Sequence, residues 1–377
     1  MVLAFASSRR YNTRLPVSVS TKQQTDRAWV EIDFANLVDN ARAVRRAAHD
    51  AALLPMVKAN GYGLGVLAVV RALESVDPWG FGVATVAEGR ELREAGVNRP
   101  VVVFTPAREA QLDSLRECNL RPVFDDPAII RLWRPDRPYH CEIDTGMGRT
   151  GIRWDDAVSL ADVAAHPPEG VFTHLHSADS SPHTVAAQLE RFHAALRAFA
   201  QRPPLVHVCN SPGVWRVGEK FDLVRPGIFL YGGAAGPDLP KPSPVVSVRA
   251  RVVSLRRLST GETVSYGAEW SAQRPTTVAT LGIGYADGLP RAVQNRASVL
   301  LRGRRCPIVG RVTMDMTMMD LGAVCDEPCA VGDVVTVIGA DGGDEITLDE
   351  FAGWAGTISY EILVRLGMRL PRNYTEP

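Results

Sequence analysis

The chain has 377 residues, of which 46% are hydrophobic and 22% are charged, values that support a sizeable core and exclude a mostly disordered chain. This length predicts two domains. Lysine plus arginine total 42, as do aspartate plus glutamate, and a net charge of +0 gives no support to a nucleic-acid-binding or polybasic membrane protein. No apolar run approaches the roughly 18 residues of a transmembrane helix, so we predict no membrane segment.

The cysteines and the N-terminus both indicate a cytoplasmic protein. Six cysteines are scattered singly along the chain, mostly in apolar runs, which is typical of free thiols in a reducing compartment. Cys325 and Cys329 stand four apart, but no second pair completes a metal site, and we predict none. Residues 1–27 are rich in Ser, Thr and Arg and lack the apolar region of a signal peptide. Transit peptides share this composition, and a flexible extension is the simpler interpretation.

A short strand at 29–33 begins the structured chain, and it is expected to pack with the C-terminal domain. A helix follows, with Phe34, Leu37, Ala41 and Val44 on one face. Apolar strand-like runs then recur with helical patterns between most of them, the clearest carrying Val185, Leu189 and Phe192. The runs are 53–57, 80–84, 100–104, 122–124, 140–143, 170–175, 205–209 and 223–231. This rhythm predicts an α/β protein whose residues 28–244 form a (β/α)8 TIM barrel.

The rhythm stops at a proline-rich connector, 236–244. Beyond it, alternating strands and turns predict a smaller, mostly β domain over 245–377, with one helix at 347–355. The predicted strands are 245–255, 276–283, 297–301, 316–321 and 334–338.

Function in such a barrel gathers at the carboxyl ends of the strands. The polar residues there are Lys58, Asn60, Asp144, Arg149, His174, His176, Ser177, Asn210, Ser211, Arg225 and Gly227. Lys58 brings an amine from an apolar strand into a glycine-rich loop, where desolvation lowers a lysine pKa and a neutral amine can form a Schiff base. From the amine alone, a lysine that reaches back into water is the alternative. Ser211 and the main chain of Gly227 and Ile228 supply donors for a phosphate. An amine opposite a phosphate site indicates pyridoxal phosphate.

Nearly the whole chain from Trp29 onward resembles the alanine racemase family, which are fold-type III pyridoxal-phosphate enzymes. Nine sequence blocks carry the resemblance in order across both predicted domains. They are VKANGYG (57–63), IDTGMGR (143–149), TH (173–174) with SAD (177–179), NS (210–211), VRPGI (224–228), VSYG (264–267), IGYADG (283–288), GRVTMD (310–315) and GTISYE (356–361).

The resemblance implies a homodimer that racemises L- and D-alanine with two bases, Lys58 on one face of the α-carbon and Tyr266 from the partner subunit on the other. Lys58 also links covalently to pyridoxal 5'-phosphate. A phenol has an ordinary pKa near about 10, so Tyr266 needs a neighbouring cation, and Arg149 or His174 is expected to supply it.

The resemblance also assigns the surrounding residues. Arg225 faces the pyridine nitrogen; an arginine does not hand over its proton, so this nitrogen stays unprotonated. Other expected cofactor contacts are Tyr62, His174, Ser211, Gly227, Ile228 and Tyr360. The substrate carboxylate is expected to meet Arg149 and Met314, and the narrow entrance comprises Asp179, Tyr285, Arg291 and Ile358. Glu142, His207 and Asp315 are expected to support these groups from behind, His207 by holding Arg225.

Three positions depart from the family pattern. Glu142 stands where many members have a lysine, often carbamylated, and we hypothesise that it supplies directly the anion that orients Arg149. Leu64 replaces a usual histidine, and His176 replaces a small residue two positions after His174. Two histidines on one face invite a metal interpretation, but no third ligand is obvious.

Three alternatives remain at this point. The substrate is alanine, for peptidoglycan precursors, or else serine or another small amino acid in a specialised pathway. A non-catalytic pyridoxal-phosphate carrier of the single-barrel type lacks the second domain and Tyr266. Decarboxylases of the same barrel type place a cysteine where the partner base acts, and the Tyr266 block does not match them.

Overall fold

A computed structural model describes residues 26–133, 137–322 and 328–375. The predicted extension, 1–27, lies outside the described residues except for Asp26 and Arg27, and Cys325 lies outside them too. The described chain begins with β1 (Ala28–Asp33) and α1 (Phe34–Ala48). Asp33 caps α1 by accepting the Asn36 N–H at 2.9 Å, and the predicted apolar stripe of α1 is buried.

A (β/α)8 barrel follows, as predicted, with short parallel strands and helices between them. The strands are β2 (Ala52–Leu53), β3 (Phe81–Val83), β4 (Val101–Val103), β5 (Arg121–Phe124), β6 (His140–Asp144), the extra strand β7 (Ile152–Arg153), β8 (Gly170–Phe172), β9 (Leu205–His207) and β10 (Leu223–Val224). The helices are α2 (Lys58–Tyr62), α3 (Val66–Leu73), α4 (Val86–Glu94), α5 (Leu112–Glu117), α6 (Pro127–Leu132), α7 (Ala157–Ala165), α8 (Pro182–Leu196) and α9 (Gly213–Arg216).

The barrel strands form a ring that two bridges complete. The sheet runs β3-β4-β5-β6-β8-β9, β7 pairs with β6, and β10 pairs with β2. A parallel bridge between Met56 and Gly82 joins β2 to β3. The Arg225 N–H donates to the Cys209 carbonyl at 2.8 Å and joins β10 to β9. The carboxyl ends of these strands therefore share one mouth.

One predicted strand is mostly wrong. Only Leu223 and Val224 of the predicted run 223–231 are a strand, and Ile228–Tyr231 form a 3-10 helix instead. Pro226 has no N–H to continue a ladder, and the apolar side chains that follow are buried as well in a helical turn as in a strand.

The C-terminal domain is mostly β, as predicted. Its strands are β11 (Val246–Leu258), β12 (Thr263–Val264), β13 (Trp270–Ser271), β14 (Thr276–Leu281), β15 (Ser298–Leu301), β16 (Arg304–Val309), β17 (Thr317–Asp320), β18 (Val334–Asp341), β19 (Asp344–Ile346) and β20 (Arg372–Thr375). Its helices are α10 (Leu348–Ala355) and α11 (Ser359–Val364). The main sheet has the order β19-β18-β15-β16-β17-β14-β11-β1-β20. β1 pairs antiparallel with β11, Val30 opposite Val248, so the first strand of the described chain lies in the C-terminal sheet.

The C-terminal end of the chain packs against the loop after Lys58. The Tyr374 hydroxyl donates to the Leu64 carbonyl at 2.9 Å, and Arg372 donates to the Gly63 carbonyl at 3.1 Å. A side chain on Gly63 would overlap the Leu363 carbonyl of α11. The mouth of the barrel is thus in contact with both domains. Among the described residues, no helix is both long and apolar enough to cross a membrane.

Candidate active site

Lys58 lies on a sharp turn at the mouth of the barrel. It opens α2, in which Ala59, Asn60 and Gly61 take left-handed backbone angles, with φ of 53°, 55° and 62°. This segment is therefore a tight turn and not a regular helix. Glu88 holds the turn, because its Oε1 accepts the Ala59 N–H at 2.7 Å. The turn fixes where the lysine side chain leaves the main chain.

The amine of Lys58 is partly removed from water. Burial lowers its pKa, the positive charge of Arg149 lowers the pKa further, and Glu88 opposes both effects. A lysine that reaches back into water keeps the solvation of its amine, whereas burial lowers the pKa of Lys58. A desolvated amine next to another cation is the type of lysine that acts as a nucleophile or base.

A hydroxyl and main-chain N–H groups converge after β9 and β10. Ser211 is buried, and its Oγ accepts the Gly227 N–H at 2.9 Å. Ile228 opens the 3-10 helix that follows, where the first N–H groups have no helical partner. A side chain on Gly227 would overlap the Tyr62 hydroxyl, so glycine alone allows Tyr62 to reach this point. The donors needed for a phosphate are present together.

Tyr62 belongs to an aromatic group beside these donors. Its ring stacks on Tyr231 with centroids 4.3 Å apart and planes 17° from parallel, and Tyr360 of α11 lies 6.1 Å away. Burial raises the pKa of Tyr62, so its hydroxyl stays protonated and acts as a donor. α11 thereby brings Tyr360 to the site from the C-terminal domain.

Arg225 is a buried guanidinium at the bottom of the mouth. Its Nη1 donates to His207 Nδ1 at 2.7 Å and to the His207 carbonyl at 2.9 Å, and its Nη2 donates to the Thr173 carbonyl at 2.9 Å. Burial lowers the pKa of Arg225 to about 10, so it remains a cation at neutral pH. Its Nε–H makes no hydrogen bond to any residue that the structure describes.

His174 lies half-buried at the mouth of the barrel. Burial, together with the charges of Arg225, Arg149 and Lys58, lowers its pKa to about 3, so its imidazole is neutral at neutral pH. These three cations act on His174 because their side chains lie near it. Which cation serves Tyr266 stays a prediction, and a neutral His174 favours Arg149.

Glu142 is buried beneath the Arg149 loop. Its Oε2 accepts the Thr150 hydroxyl at 2.7 Å. Burial raises the pKa of Glu142, and Thr150, Arg149 and Arg225 act in the opposite direction. Asp144 shapes the same loop, because its carboxylate accepts the Gly146 N–H at 2.9 Å. The Arg149 side chain itself is exposed in the single chain.

Tyr266 and Met314 stand apart from the barrel of their own chain. Tyr266 is 71% exposed and Met314 is 53% exposed. Ser265 has a left-handed φ of 68°, which sets the direction of the main chain at Tyr266. The Ser265 hydroxyl donates to the Arg311 carbonyl at 2.7 Å. Within the described residues, no hydrogen bond or ring contact joins Tyr266 to another side chain. A single chain therefore does not bring Tyr266 to Lys58.

The residues expected at the entrance lie on three segments, which contain Asp179, residues 285–291 and Ile358. Tyr285 and Ile358 are large exposed side chains, and Arg291 lines a surface cavity with residues 356–357, next to Ile358. Burial raises the pKa of Tyr360 and the charge of Asp179 raises it further, so Asp179 lies near the aromatic group.

An ion cluster lies around the buried Asp287, and of its members only Asp315 was predicted. Asp287 is fully buried and binds Arg27 at 2.7 Å and Arg369 at 3.0 Å. Arg369 also binds Asp315 at 2.8 Å. The turn that carries Asp287 holds the Met314 loop, because the Ala286 N–H donates to the Met314 carbonyl at 3.0 Å. Asp287 belongs to the IGYADG block (283–288), but no feature of the sequence indicates that it is buried or paired with Arg27.

Two of the departures from the family pattern have ordinary contacts. Leu64 is buried, and its carbonyl accepts the Tyr374 hydroxyl. His176 is exposed, and its Nδ1 lies 2.6 Å from the Ser177 hydroxyl. In the described ranges, no three metal-binding side chains come together.

The residues present fit pyridoxal phosphate. Lys58 offers a desolvated amine for the covalent link, and Ser211, Gly227 and Ile228 offer the donors for the phosphate. Because residue 227 is a glycine, it has no side chain to displace the Tyr62 hydroxyl from its place beside these donors. Arg225 offers its unused Nε–H to the ring nitrogen, and the neutral His174 suits a place against the ring.

Comparisons with known proteins agree with this geometry. The family model for the alanine racemase N-terminal domain matches residues 32–235, and the model for the alanine racemase C-terminal domain matches residues 245–374. A curated alanine racemase of Symbiobacterium thermophilum is 40% identical over 367 residues, covering 92% of this chain and 96% of that protein. The crystal structure of alanine racemase from E. faecalis matches with a TM-score of 0.85 and 32% identity, covering 93% of this chain and 98% of the other. The structure of alanine racemase from Bartonella henselae, which has covalently bound pyridoxal phosphate, matches with a TM-score of 0.87 and 29% identity, covering 93% and 100%.

Proposed function

The chain belongs to the alanine racemase family, and we propose that Lys58 of one subunit and Tyr266 of its partner exchange protons with opposite faces of the substrate α-carbon. The activity is the pyridoxal-phosphate-dependent interconversion of L- and D-alanine. The cofactor, when bound, supplies an electron-withdrawing ring that makes the α-hydrogen of a linked amino acid acidic. The protein supplies the bases and the orientation.

Lys58 serves twice. Its Nζ would hold the cofactor covalently, and as a free neutral amine it would take or return the α-proton on its own face of the substrate. The lowered pKa of Lys58 supports this role, because a smaller fraction of the amine is protonated at neutral pH.

Arg149 and Met314 orient the substrate. The guanidinium of Arg149 faces the substrate carboxylate, and the Met314 N–H approaches it from the partner subunit. Arg149 also lies where its charge stabilises a tyrosinate, so it lowers the barrier for Tyr266 to accept a proton. Arg225 donates a hydrogen bond to the ring nitrogen without giving up its proton, which limits transamination at some cost in carbanion stabilisation.

The exposure of Tyr266 carries the dimer proposal. A second base is required for inversion, and this phenol is 71% exposed. Met314, Tyr285 and Ile358 are also exposed, and the segments of Met314 and Tyr285 are hydrogen-bonded to each other. Exposed large side chains of this kind are typical of a protein interface. We place a second copy of the chain there, so that each active site contains residues of both subunits.

Mixing two inactive variants tests the shared site. Lys58→Ala and Tyr266→Phe homodimers each lack one base at both sites. A heterodimer of the two has one site with both defects and one site with none. Random exchange of subunits should therefore restore about a quarter of the activity of an equal amount of wild-type protein, as expected for a symmetric dimer. Mixing without recovery, in a preparation shown by mass spectrometry to contain heterodimers, overturns the shared site.

We further propose that the product D-alanine supplies peptidoglycan synthesis in the cytoplasm. The cysteines that the structure describes are all free thiols, which suits a reducing compartment. The matched C-terminal domain argues against a single-barrel carrier of pyridoxal phosphate. Comparison of kcat/KM for L-alanine and L-serine separates the alanine enzyme from a serine racemase, since preference for serine contradicts the proposal.

A further inference from the structure

A row of polar side chains crosses the barrel from the active site toward its opposite face. Arg225 follows β10 at the mouth, and its Nη1 lies 2.7 Å from His207 Nδ1 at the end of β9. His207 Nε2 lies 2.8 Å from Nδ1 of His140, the first residue of β6. His140 Nε2 lies 3.5 Å from the Glu169 carboxylate, just before β8, which is an ion-pair distance at which it makes no hydrogen bond. Glu169 is held in turn by Arg121 at 2.6 Å, at the start of β5.

We propose that His140 and Glu169 are positioning residues for Arg225, and that they act by fixing the position of the proton on each imidazole. A guanidinium has no acceptor, so His207 Nδ1 must accept the hydrogen bond from Arg225. The proton of His207 is then on Nε2, which donates to His140 Nδ1. The proton of His140 is therefore on its own Nε2, directed at Glu169. This arrangement of protons satisfies both hydrogen bonds of the row and leaves the last N–H facing the Glu169 carboxylate.

The barrel interior is shaped to hold this row. A side chain on Gly170 would overlap the His140 ring, so glycine at the start of β8 provides the space for it. The His207 ring stacks on Phe172 with centroids 4.9 Å apart and planes 12° from parallel. The edge of Trp79 packs on His140 at 5.9 Å. Neither imidazole is free to rotate into another arrangement.

The charges around the row favour neutral rings. His207 is fully buried and faces Arg225 and His140, and burial with these neighbours lowers its pKa well below its ordinary value. His140 is fully buried; Arg121 and Arg225 lower its pKa, and Glu169 opposes them. Two neutral rings keep the buried guanidinium free of a second positive charge in contact with it.

The consequence for the enzyme rests on the proposed function, in which Arg225 faces the cofactor nitrogen. If His207 carried its proton on Nδ1, two donors would stand 2.7 Å apart and Arg225 would move. Glu169, which is outside the active site, thus helps to decide where a group in the active site lies.

Nitrogen NMR of the holoenzyme with ¹⁵N-labelled histidine tests the proton positions directly. Between about pH 5 and pH 9, we expect His207 and His140 to remain neutral with the proton on Nε2 and an acceptor-type Nδ1. Titration of either ring in this range, or a proton on Nδ1 of His207, overturns the proposal. This readout does not depend on racemase activity, so an inactive protein with these proton positions would contradict the proposed function and leave the row intact.

Variants then test the effect on Arg225. His140→Phe removes the acceptor for His207, and Glu169→Gln replaces the carboxylate by an amide that accepts or donates. We expect mixed proton positions on His207 in His140→Phe, with kcat lower by about 10–100-fold and KM for alanine little changed, as for other groups that orient an active-site residue. Glu169 is half-buried, so we expect Glu169→Gln to keep the fold more easily than His140→Phe does. It should show a smaller change of the same kind.

Asp162→Asn is the matched control. It removes the carboxylate of an exposed ion pair in which Arg131 lies 2.7 Å from Asp162. Neither residue of this pair belongs to the row. We expect its histidine spectrum and kcat to match the wild type. Unchanged spectra and unchanged kcat in both His140→Phe and Glu169→Gln would overturn the positioning role.

Discussion

The Tyr62 hydroxyl occupies the place where a side chain on Gly227 would stand. Tyr62 follows Lys58 in the turn after β2, and Gly227 follows Arg225 after β10. Contact between them therefore joins the segment that carries the amine to the segment that carries the proposed phosphate donors. Ser211, bonded to the Gly227 N–H, adds a third segment to the same point.

Gly227→Ala should weaken the binding of pyridoxal phosphate. The new methyl group must displace the buried Tyr62 ring, and overpacking of this kind costs about 1–3 kcal/mol, or about 5–150-fold in affinity. Fluorescence titration of the cofactor-free variant measures the change. Gly218→Ala is the control, because a side chain there meets no atom within 4 Å. Equal affinities for the two variants would contradict a phosphate site at Gly227.

The reactivity of Lys58 should depend on pH in a direction that its neighbours set. Burial and Arg149 lower the pKa of Lys58 below 10.5, and Glu88 raises it. The neutral amine is the reactive form, so the rate at which cofactor-free protein takes up pyridoxal phosphate should rise with pH, with a midpoint below 10.5. Arg149→Met should move this midpoint upward and Glu88→Gln should move it downward.

Stopped-flow absorbance at the wavelength of the bound cofactor measures these midpoints. Lys241→Ala, a change at an exposed lysine after the barrel, serves as the control and should leave the midpoint unchanged. Shifts in the same direction for Arg149→Met and Glu88→Gln would show that charge does not determine the reactivity of Lys58.

Glu142→Gln should separate the role of Glu142 in orienting Arg149 from its effect on stability. Burial raises the pKa of Glu142, so the folded state prefers the protonated form, and native stability falls as pH rises from 4.5 through the raised pKa. The glutamine variant lacks this fall and should be at least as stable as the wild type at neutral pH. If the ionised carboxylate orients Arg149, the same variant should nevertheless have lower turnover and weaker binding of alanine.

Urea unfolding at about pH 5 and pH 8 gives the stability comparison, and steady-state kinetics at the same pH values give kcat and KM. Thr150→Val, which removes the hydroxyl that donates to Glu142 at 2.7 Å, should shift the same properties in part. Unchanged kinetics in Glu142→Gln would reject the hypothesis that it supplies an anion to Arg149.

The barrel mouth was predictable from the sequence because the residues there follow strands, and parallel strands end at one edge. Lys58, His174, Ser211 and Arg225 came from different runs, yet a regular β-then-α order required their meeting. The same reasoning failed at 228–231, since a short apolar run is buried equally well as a strand or as a helical turn.

Pairs between distant segments were not predictable. Arg27 lay in a segment whose composition indicates flexibility, and its partner Asp287 is 260 positions away. His140 is the first residue of β6 and Glu169 precedes β8, and only the barrel register brings them together. Neither the hydrophobic period nor the spacing of residues carries information about such polar contacts.

Arg27→Ala should lower both stability and substrate binding. Asp287 is fully buried and keeps Arg369 and the Gly284 N–H as partners when Arg27 is removed, and loss of one hydrogen-bonded charge from such a site costs about 1–3 kcal/mol. The Asp287 turn holds Tyr285 and the Met314 carbonyl, so KM for alanine should rise more than kcat falls. Arg42→Ala is the control, because its pair with Asp39 is exposed at both ends and is worth about 0–1 kcal/mol. Thermal unfolding and steady-state kinetics on both variants give the comparison. Equal stabilities for the two variants would show that the ion pair of Arg27 with Asp287 does not stabilise the fold, and a loss of stability without a change in KM would disconnect the ion cluster from the entrance.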